Sequence, residues 1–257
     1  MYEPAAATIH PPTSVALTTL VKLALWPALL VQGRRVRASA LRLPEAIGER
    51  HGVVGDGPVR LRVLIVGDSS AAGVGVETQA EALSGQLAQA LAERSGAAVG
   101  WQLVAQSGHT TREACDALRE ARLAPADLLV TAVGVNDVTG QTRPSRFLRT
   151  LDELHAVAVA RAGISHAWHC GLPPMGRFPL LPQPLRWVLG RDAAALDHAL
   201  ARHLAGQPQR LHLPLPAPPA TEAGDGGIAP GWIAADGFHP GPLGYRQWGR
   251  QVAHAIG

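Results

Sequence analysis

The chain has 257 residues, of which 47% are hydrophobic and 17% are charged. The low charge excludes a disordered solvating chain, and 28 Gly with 21 Pro but no triplet period exclude a collagen-like one. The net charge of +3 comes from dispersed arginines, and only 4% of the residues are aromatic, which argues against nucleic-acid binding. The length fits one large domain or two small ones.

The first distinctive segment is an apolar stretch over residues 15–31, interrupted by Lys22 and Pro27 and followed by three arginines within residues 34–37. A secretory signal carries its positive charges before the apolar run, so a cleaved signal is disfavoured. The stretch predicts either a membrane-associated helix over residues 15–37 or an apolar helix docked on the protein's own surface. In the first case, the trailing arginines favour a cytoplasmic or inner-membrane-associated catalytic domain.

Residues 38–60 are rich in Gly, Pro and Arg and are interpreted as a connector. The chain is therefore divided into an N-terminal region, residues 1–60, and a single larger domain, residues 61–257.

Strands and helices alternate regularly through this larger domain. Short apolar runs ending at glycine or polar residues predict buried strands, and leucines at helical spacing predict helices. The predicted strands cover residues 61–66, 99–105, 127–133, 164–170 and 210–213, and the predicted helices cover residues 78–94, 111–123, 143–162, 190–205 and 241–256. This alternation predicts an α/β fold, a three-layer α/β/α sandwich around a five-stranded parallel sheet.

Two long segments break this rhythm. Residues 172–189 contain five prolines among apolar side chains, and residues 213–232 are rich in Pro, Gly and Ala. Long irregular segments in a compact domain are often functional, and the first of them is a candidate wall for an acyl chain. The two cysteines, Cys115 and Cys170, are either buried free thiols or a disulfide, and the sequence does not decide between them.

Polar chemistry follows the predicted strands at the points where they end. Ligands of open α/β sheets bind outside the carboxyl ends of the strands, so these residues are expected to meet at one rim. The segments are Gly67-Asp68-Ser69-Ser70 with Gly73, then Ser107-Gly108-His109, then Gly134-Val135-Asn136-Asp137, and finally Asp236-Gly237-Phe238-His239 before the last helix.

These four segments resemble the sequence blocks of the SGNH/GDSL hydrolases, in the right order and at the expected strand ends. Gly67-Asp68-Ser69 carries the first block, with Ser70 in place of the usual leucine, and Gly108 carries the second. Gly134-x-Asn136-Asp137 and Asp236-x-x-His239 carry the third and fourth. The resemblance covers residues 61–257 and implies a serine esterase that acts on a small-molecule acyl ester, with no metal and no organic cofactor.

The residue types also suit nucleophilic catalysis. A serine hydroxyl is a weak nucleophile that needs an adjacent base, which His239 can supply to Ser69 near neutral pH. Asp236 can hold the other imidazole nitrogen and fix the tautomer. An oxyanion hole is predicted from the backbone N–H groups of Ser69 and Gly108 and the side-chain amide of Asn136.

Several alternatives stay open at this point. Ser70 is a rival nucleophile, His109 is expected to line the pocket or the surface, and Asp68 and Asp137 are interpreted as turn and network residues. His166 and His169 have an odd spacing on one strand and do not predict a metal pair. The same triad could transfer an acyl group to an alcohol or act as a carbohydrate deacetylase or thioesterase. A non-catalytic membrane-associated binding module is the alternative from another class.

Overall fold

The structure is a computed structural model, and it describes residues 15–217 and 229–257. The first fourteen residues and most of the second irregular segment lie outside the described residues. The helices are α1 (Val15–Ser39), α2 (Leu83–Ser95), α3 (Thr111–Glu120), α4 (Val135–Thr139), α5 (Pro144–Ala162), α6 (Leu185–Leu204) and α7 (Pro242–Ile256). The strands are β1 (His51–Val54), β2 (Val59–Gly67), β3 (Ala98–Ala105), β4 (Leu128–Ala132), β5 (His166–Cys170) and β6 (Arg210–Leu213).

Within the described residues, one sheet has the strand order β1-β3-β2-β4-β5-β6. The five predicted strands are all present and mutually parallel, which confirms the α/β class. The predicted count of five is wrong by one, because β1 adds an antiparallel edge to β3, with His51 opposite Gln102. This strand is short and solvent-facing and lies in the segment interpreted as a connector, so it gave no apolar run to recognise.

Helices cover both faces of the sheet. Residues from α3, α5 and α6 pack with Leu64, Val66 and Leu129 on one face. Residues from α2 and α7 pack with Val63, Ile65 and Val130 on the other. Because both faces are buried, β2 shows a continuous apolar run instead of an alternating pattern.

The strand order creates a crevice at the carboxyl end of β2. The chain leaves β2, forms β3 on one side of it, and then crosses to form β4 on the other side. Connections that leave neighbouring strands in opposite directions open such a crevice, which is where doubly wound sheets bind their ligands. The first polar segment, Gly67–Ser70, follows β2 at this point.

The N-terminal helix is longer than the predicted apolar stretch, because α1 continues through the arginines to Ser39. It lies on the body of the protein, with Leu29 and Val36 packed against the core face that includes α6. Among the described residues, no helix combines the length and apolar character needed to cross a bilayer. Association with a membrane stays a prediction.

Other element bounds differ by a few residues for local reasons. The helix α2 begins at Leu83, because the preceding residues form a turn in which the buried Gln79 amide donates to the carbonyl oxygens of Ala46 and Ala72. The helix α6 begins at Leu185, inside the first irregular segment, and a single 3₁₀ turn spans Met175–Arg177.

The structure shows the state of the two cysteines and the environment of the two histidines on β5. Cys115 and Cys170 are both free and buried, on α3 and at the end of β5. His169 is fully buried between Thr131 Oγ1 at 2.9 Å and Arg210 Nε at 3.3 Å, whereas His166 is exposed. Since the Arg210 N–H donates to His169 Nε2, the proton of this neutral imidazole is on Nδ1 and donates to Thr131.

We predict that shortening a side chain to alanine affects stability differently on the two faces of α5. Leu154 is fully buried in the core and Val159 on the same helix is 41% exposed. We expect Leu154→Ala to lower the free energy of unfolding by about 2–5 kcal/mol, because it removes buried methyl groups and leaves a cavity. The control Val159→Ala should change it by less than about 0.5 kcal/mol. Urea denaturation measures both, and equal values for the two variants would contradict this packing of α5.

Candidate active site

Ser69 stands on a tight turn at the carboxyl end of β2. The turn begins at Gly67, where a Cβ would lie 2.3 Å from Ala71 Cβ and 2.6 Å from the Ala132 carbonyl oxygen, so only glycine fits. The Asp68 N–H then donates to Ala132 O at 3.0 Å, and the Val74 N–H donates to Ser69 O at 3.0 Å. These contacts fix the turn against β4 and leave the Ser69 side chain half-buried at the rim of the sheet.

The loop before α7 comes to the same rim through a close backbone approach. Gly75 has a φ of +108°, and a Cβ at this position would lie 2.3 Å from the Pro240 carbonyl oxygen. One residue earlier, Val74 O accepts a hydrogen bond from the buried Tyr245 hydroxyl at 2.8 Å. The turn after β2 and the segment around His239 are therefore held together although they are far apart in sequence.

The predicted triad residues form a continuous chain of hydrogen bonds. His239 Nε2 lies 2.8 Å from Ser69 Oγ, and His239 Nδ1 lies 2.6 Å from Asp236 Oδ2. A carboxylate only accepts hydrogen bonds, so Nδ1 carries the imidazole proton and Nε2 is left as an acceptor. The Nε2 lone pair therefore faces the Ser69 hydroxyl proton.

Asp236 is ionised because its hydrogen bonds outweigh its burial. Burial of this 7% exposed residue raises the pKa of its carboxyl group. The His239 ring and the backbone N–H groups of His239 and Phe238 all donate to the carboxylate and together hold its pKa below the usual value. Hydrogen bonds to the charged form of an acid stabilise that form.

The three predicted oxyanion donors lie on separate strand ends. Among the described residues, the Ser69 and Gly108 backbone N–H groups have no protein acceptor. Gly108 has a φ of +86° and open space where a Cβ would point, so a ligand can approach its backbone. The Asn136 amide donates one N–H to the His109 carbonyl oxygen at 2.9 Å, which orients the side chain beside the Gly108 loop and leaves its second N–H.

Asp137 joins two of these segments, as its interpretation as a network residue expects. Its Oδ2 accepts hydrogen bonds from both the backbone N–H and the hydroxyl of Thr111, each at 2.8 Å. Thr111 opens α3, whose N-cap Thr110 forms a capping box with Glu113. The short helix α4, which carries Asn136, is thereby fixed to the loop that carries Gly108.

An apolar cavity of about 100 Å³ lies near the triad, although Ser69 and His239 themselves are not among the residues that line it. The neighbours of Ser69 in sequence, Asp68 and Ser70, line it, and so do the neighbours of His239, Phe238 and Pro240. Its remaining walls are mainly apolar and come from several elements: Ala132, Val133, Val135, Gly171, Pro173, Pro174, Arg177, Phe178, Leu215, Pro216, Trp232, Ile233, Gly244 and Trp248. The proline-rich segment thus contributes to the walls, as the sequence predicts.

Asp68 is a second buried carboxylate at the site, in a different environment. Its Oδ1 accepts one hydrogen bond, from the Ser70 N–H at 3.0 Å. Burial raises the pKa of Asp68 to about 6, because this bond and the nearby His239 offset only part of the loss of hydration and Asp137 adds like-charge repulsion. The Gly-Asp-Ser sequence identifies the residue but gives no sign that it is buried.

The other candidates are placed as follows. The imidazole of His239 contacts the hydroxyl of Ser69, and no described hydrogen bond joins it to Ser70. His109 is half-buried beside the Gly108 loop, and its Nδ1 has no partner among the described residues. The described part of the chain contains no group of three or more His, Cys, Asp or Glu residues arranged to hold a metal ion. Phe238, Trp232 and Trp248 were missed by the sequence reasoning, because an aromatic residue gives no sign in sequence of the cavity it lines.

The chain belongs to the GDSL-like lipase/acylhydrolase family, whose model matches residues 65–247. The match confirms the resemblance carried by the four strand-end segments and makes the protein a hydrolase of the esterase and lipase type. No protein of curated function matches the chain.

Solved structures of this architecture align with about three quarters of the chain. TesA is 22% identical and aligns over 76% of this chain and 97% of its own, with a TM-score of 0.55. The native aryl esterase of M. smegmatis is 19% identical over 76% and 98% of the two chains, with a TM-score of 0.54. The psychrotrophic esterase EstA from Pseudoalteromonas sp. is 17% identical over 76% and 96%, with a TM-score of 0.52.

The raised pKa of Asp68 predicts a pH-dependent stability. The folded protein holds this proton more tightly than the unfolded chain, whose aspartates titrate near 3.9, so the contribution of Asp68 to wild-type stability falls as the pH rises from about 4 to about 6. Asp68→Asn keeps an oxygen for the Ser70 N–H and removes the buried charge. We expect the stability of the variant relative to wild type to increase by on the order of 2–3 kcal/mol between about pH 4 and pH 8.

The measurement is urea denaturation of both proteins across this pH range. The exposed Asp56 provides the control, because Asp56→Asn should shift stability equally at both ends of the range. A constant difference between Asp68→Asn and wild type at every pH would show that Asp68 is ionised without penalty.

Proposed function

We propose that the protein is a serine esterase that hydrolyses carboxylic acyl esters through an acyl-enzyme intermediate. The observation that carries this proposal is the unbroken hydrogen-bond chain from Ser69 Oγ through His239 to Asp236, with distances of 2.8 and 2.6 Å. The family membership supports the hydrolase class, and the titles of two of the structural neighbours name esterases.

In the proposed first half-reaction, Ser69 Oγ attacks the ester carbonyl carbon while its proton passes to His239 Nε2. The carbonyl π electrons move to the oxygen and give a tetrahedral oxyanion. When this intermediate collapses, the bond between the carbonyl carbon and the alcohol oxygen breaks. The imidazolium returns its proton to the departing oxygen, which leaves as the alcohol and leaves the acyl group on Ser69.

The second half-reaction repeats these steps with water. A water molecule gives a proton to His239 Nε2 as it attacks the acyl carbon, and the collapse of the second tetrahedral intermediate releases the carboxylic acid. The proton then returns to Ser69 Oγ, which restores the starting state. Asp236 keeps the ring in one tautomer and stabilises the imidazolium in both halves, since its carboxylate accepts from Nδ1 throughout.

The oxyanion is assigned to the donors from three strand ends: the Ser69 and Gly108 backbone N–H groups and the free N–H of Asn136. The Asn136 amide is held by His109 O and by the junction that Asp137 makes with Thr111, so it does not reorganise during the reaction. Preorganised donors of this kind stabilise charge that develops only in the transition state.

The apolar cavity is assigned to the acyl part of the ester. Its walls include the sequence neighbours of Ser69 and of His239, so we assign to it the chain of an acyl group bonded to Ser69 Oγ. Its walls offer aromatic and proline surfaces and few polar partners, which suits a hydrocarbon chain better than a sugar.

Replacing the proposed nucleophile tests the mechanism. We expect Ser69→Ala to remove nearly all hydrolysis of p-nitrophenyl acetate and butyrate, with a loss of at least about 10³-fold in kcat. His239→Ala should have an effect of similar size, because the two residues act as one unit. Mass spectrometry of wild type treated with a p-nitrophenyl phosphonate should find the phosphonyl group on Ser69.

Ser70→Ala is the matched control, since it removes a neighbouring hydroxyl from the same turn and should retain most of the activity. If Ser70→Ala were inactive while Ser69→Ala turned over normally, the assignment of the nucleophile would be wrong. Unchanged far-UV circular dichroism of each variant separates a loss of chemistry from a loss of fold.

Asn136 provides a second, independent test. We expect Asn136→Ala to lower kcat by about 10²–10³-fold with little change in KM, because the interaction forms with the oxyanion and not with the ground-state carbonyl. Steady-state kinetics on p-nitrophenyl butyrate measure both constants. A raised KM at an unchanged kcat would make Asn136 a substrate-binding residue instead.

A further inference from the structure

The outward side of α1 carries an apolar stripe that no described part of the protein covers. Leu23, Trp26 and Leu30 are 66%, 54% and 41% exposed, and their spacing places them on one face of the helix. Val31 at the edge of this face is 47% exposed. Large side chains exposed together along one helix face are uncommon on a protein that meets only water.

The stripe is not the side by which α1 attaches to the body. The adjacent side of the helix packs Leu29 and Val36 against the core. On the body-facing side, the Lys22 ammonium donates to both carboxylate oxygens of Asp192 on α6, at 2.5 and 2.7 Å. The Gln32 amide donates to the Gln183 carbonyl oxygen at 2.7 Å. The helix therefore already has its intramolecular partner, and the apolar stripe lies outside that contact.

The charge around the stripe has one sign. Arg34, Arg35 and Arg37 follow it in the last turns of α1, and all three are exposed. Among the described residues, none of them forms an ion pair. The amino-acid sequence contains no Asp or Glu between residues 4 and 44, so the segment offers nothing to neutralise these charges.

We propose that the apolar stripe of Leu23, Trp26 and Leu30, together with the three arginines that follow it at the end of α1, binds the surface of an anionic lipid bilayer. The helix would lie in the plane of the interface, with its apolar stripe among the acyl chains and its arginines at the phosphates of the headgroups.

A bilayer fits this face better than a second copy of the chain does. In a two-fold dimer the same patch meets itself, and because α1 carries no acidic residue, neither a parallel nor an antiparallel pair of these helices would give the three arginines an opposite charge. An anionic bilayer neutralises the same charges.

The position of α1 indicates that the membrane is the source of the ester substrate, an inference that rests on the proposed function. Gln32 also accepts from the Leu185 N–H at 3.1 Å, so α1 is fixed to the end of the proline-rich segment. That segment reaches the active-site loop, where Phe178 packs on Phe238 with ring centroids 4.9 Å apart. We infer that the ester is one that partitions into the lipid phase.

Vesicle co-sedimentation of the full-length Ser69→Ala protein tests the membrane face without depending on activity. The vesicles are pure phosphatidylcholine, or phosphatidylcholine with roughly one third phosphatidylglycerol to supply negative charge. One variant replaces Leu23, Trp26 and Leu30 with Gln, and its control replaces the exposed Ile47, Val53 and Val159 with Gln. The second variant replaces the three arginines with Gln, and its control does the same to Arg94, Arg246 and Arg250, which are exposed elsewhere.

We expect binding to the anionic vesicles that falls at raised salt and is much weaker on phosphatidylcholine. The arginine variant should lose on the order of a hundredfold in partition coefficient, at roughly tenfold or less per charge. The stripe variant should lose at least about tenfold, because three apolar side chains no longer enter the interface. Both controls should bind as the parent protein does.

Two results would overturn the proposal. The first is anionic-vesicle binding that is absent, or that is the same in both variants as in their controls. The second is a dimer in sedimentation equilibrium that dissociates only in the stripe variant while vesicles bind nothing, which would assign the face to a second copy. The same substitutions made in the protein that retains Ser69 provide the folding control, because normal turnover of p-nitrophenyl acetate shows that each variant folds. A protein that binds vesicles but hydrolyses no ester would contradict only the proposed function.

Discussion

The close approach of two backbone segments underlies the candidate site. The carbonyl oxygen of Pro240 occupies the space that a side chain at Gly75 would need, 2.3 Å from the position of its Cβ. This contact brings the loop before the last helix onto the turn after the first parallel strand, and the buried Tyr245 hydroxyl secures it at Val74 O. Without this contact, the His239 imidazole would lie too far from the Ser69 hydroxyl for a hydrogen bond, because neither side chain is long enough to span a wider gap.

Two buried carboxylates beside the same imidazole have opposite pKa shifts, and the depth of burial and the number of hydrogen-bond donors together explain the difference. Asp236 accepts from one ring N–H and two backbone N–H groups, which together outweigh its burial. Asp68 accepts from one backbone N–H, and burial prevails. The imidazole therefore has on its Nδ1 side a carboxylate whose pKa is held low, and nearby a carboxyl group whose pKa is raised to about 6. Environments that separate the pKa values of neighbouring acids commonly mark reactive sites.

The sequence predicts the site where a backbone constraint requires one residue type, and it does not predict contacts between segments that are far apart along the chain. Glycines and polar residues at strand ends located Ser69 and Asn136, because parallel strands bring their carboxyl ends to one rim. The sequence does not predict the strand at residues 51–54, because this strand pairs with β3, almost fifty residues away. The interactions of Asp68 and Asn136 likewise depend on burial and on carbonyl oxygens from other elements, and the pattern of residue types does not encode either.

The proline-rich segment links the two ends of the molecule that have proposed roles. Proline restricts the backbone of an irregular segment and reduces the entropy lost when it is ordered, so five prolines within residues 172–189 make this connection stiff. One end of the segment holds Phe178 against Phe238 beside the imidazole, and the other receives Gln32 of the N-terminal helix. A stiff connection keeps the proposed membrane face at a fixed distance from Ser69. Under the proposed function, a lipid-borne ester would then leave the interface by a constant depth to react, and we expect the apolar cavity, and not motion of α1, to select the substrate.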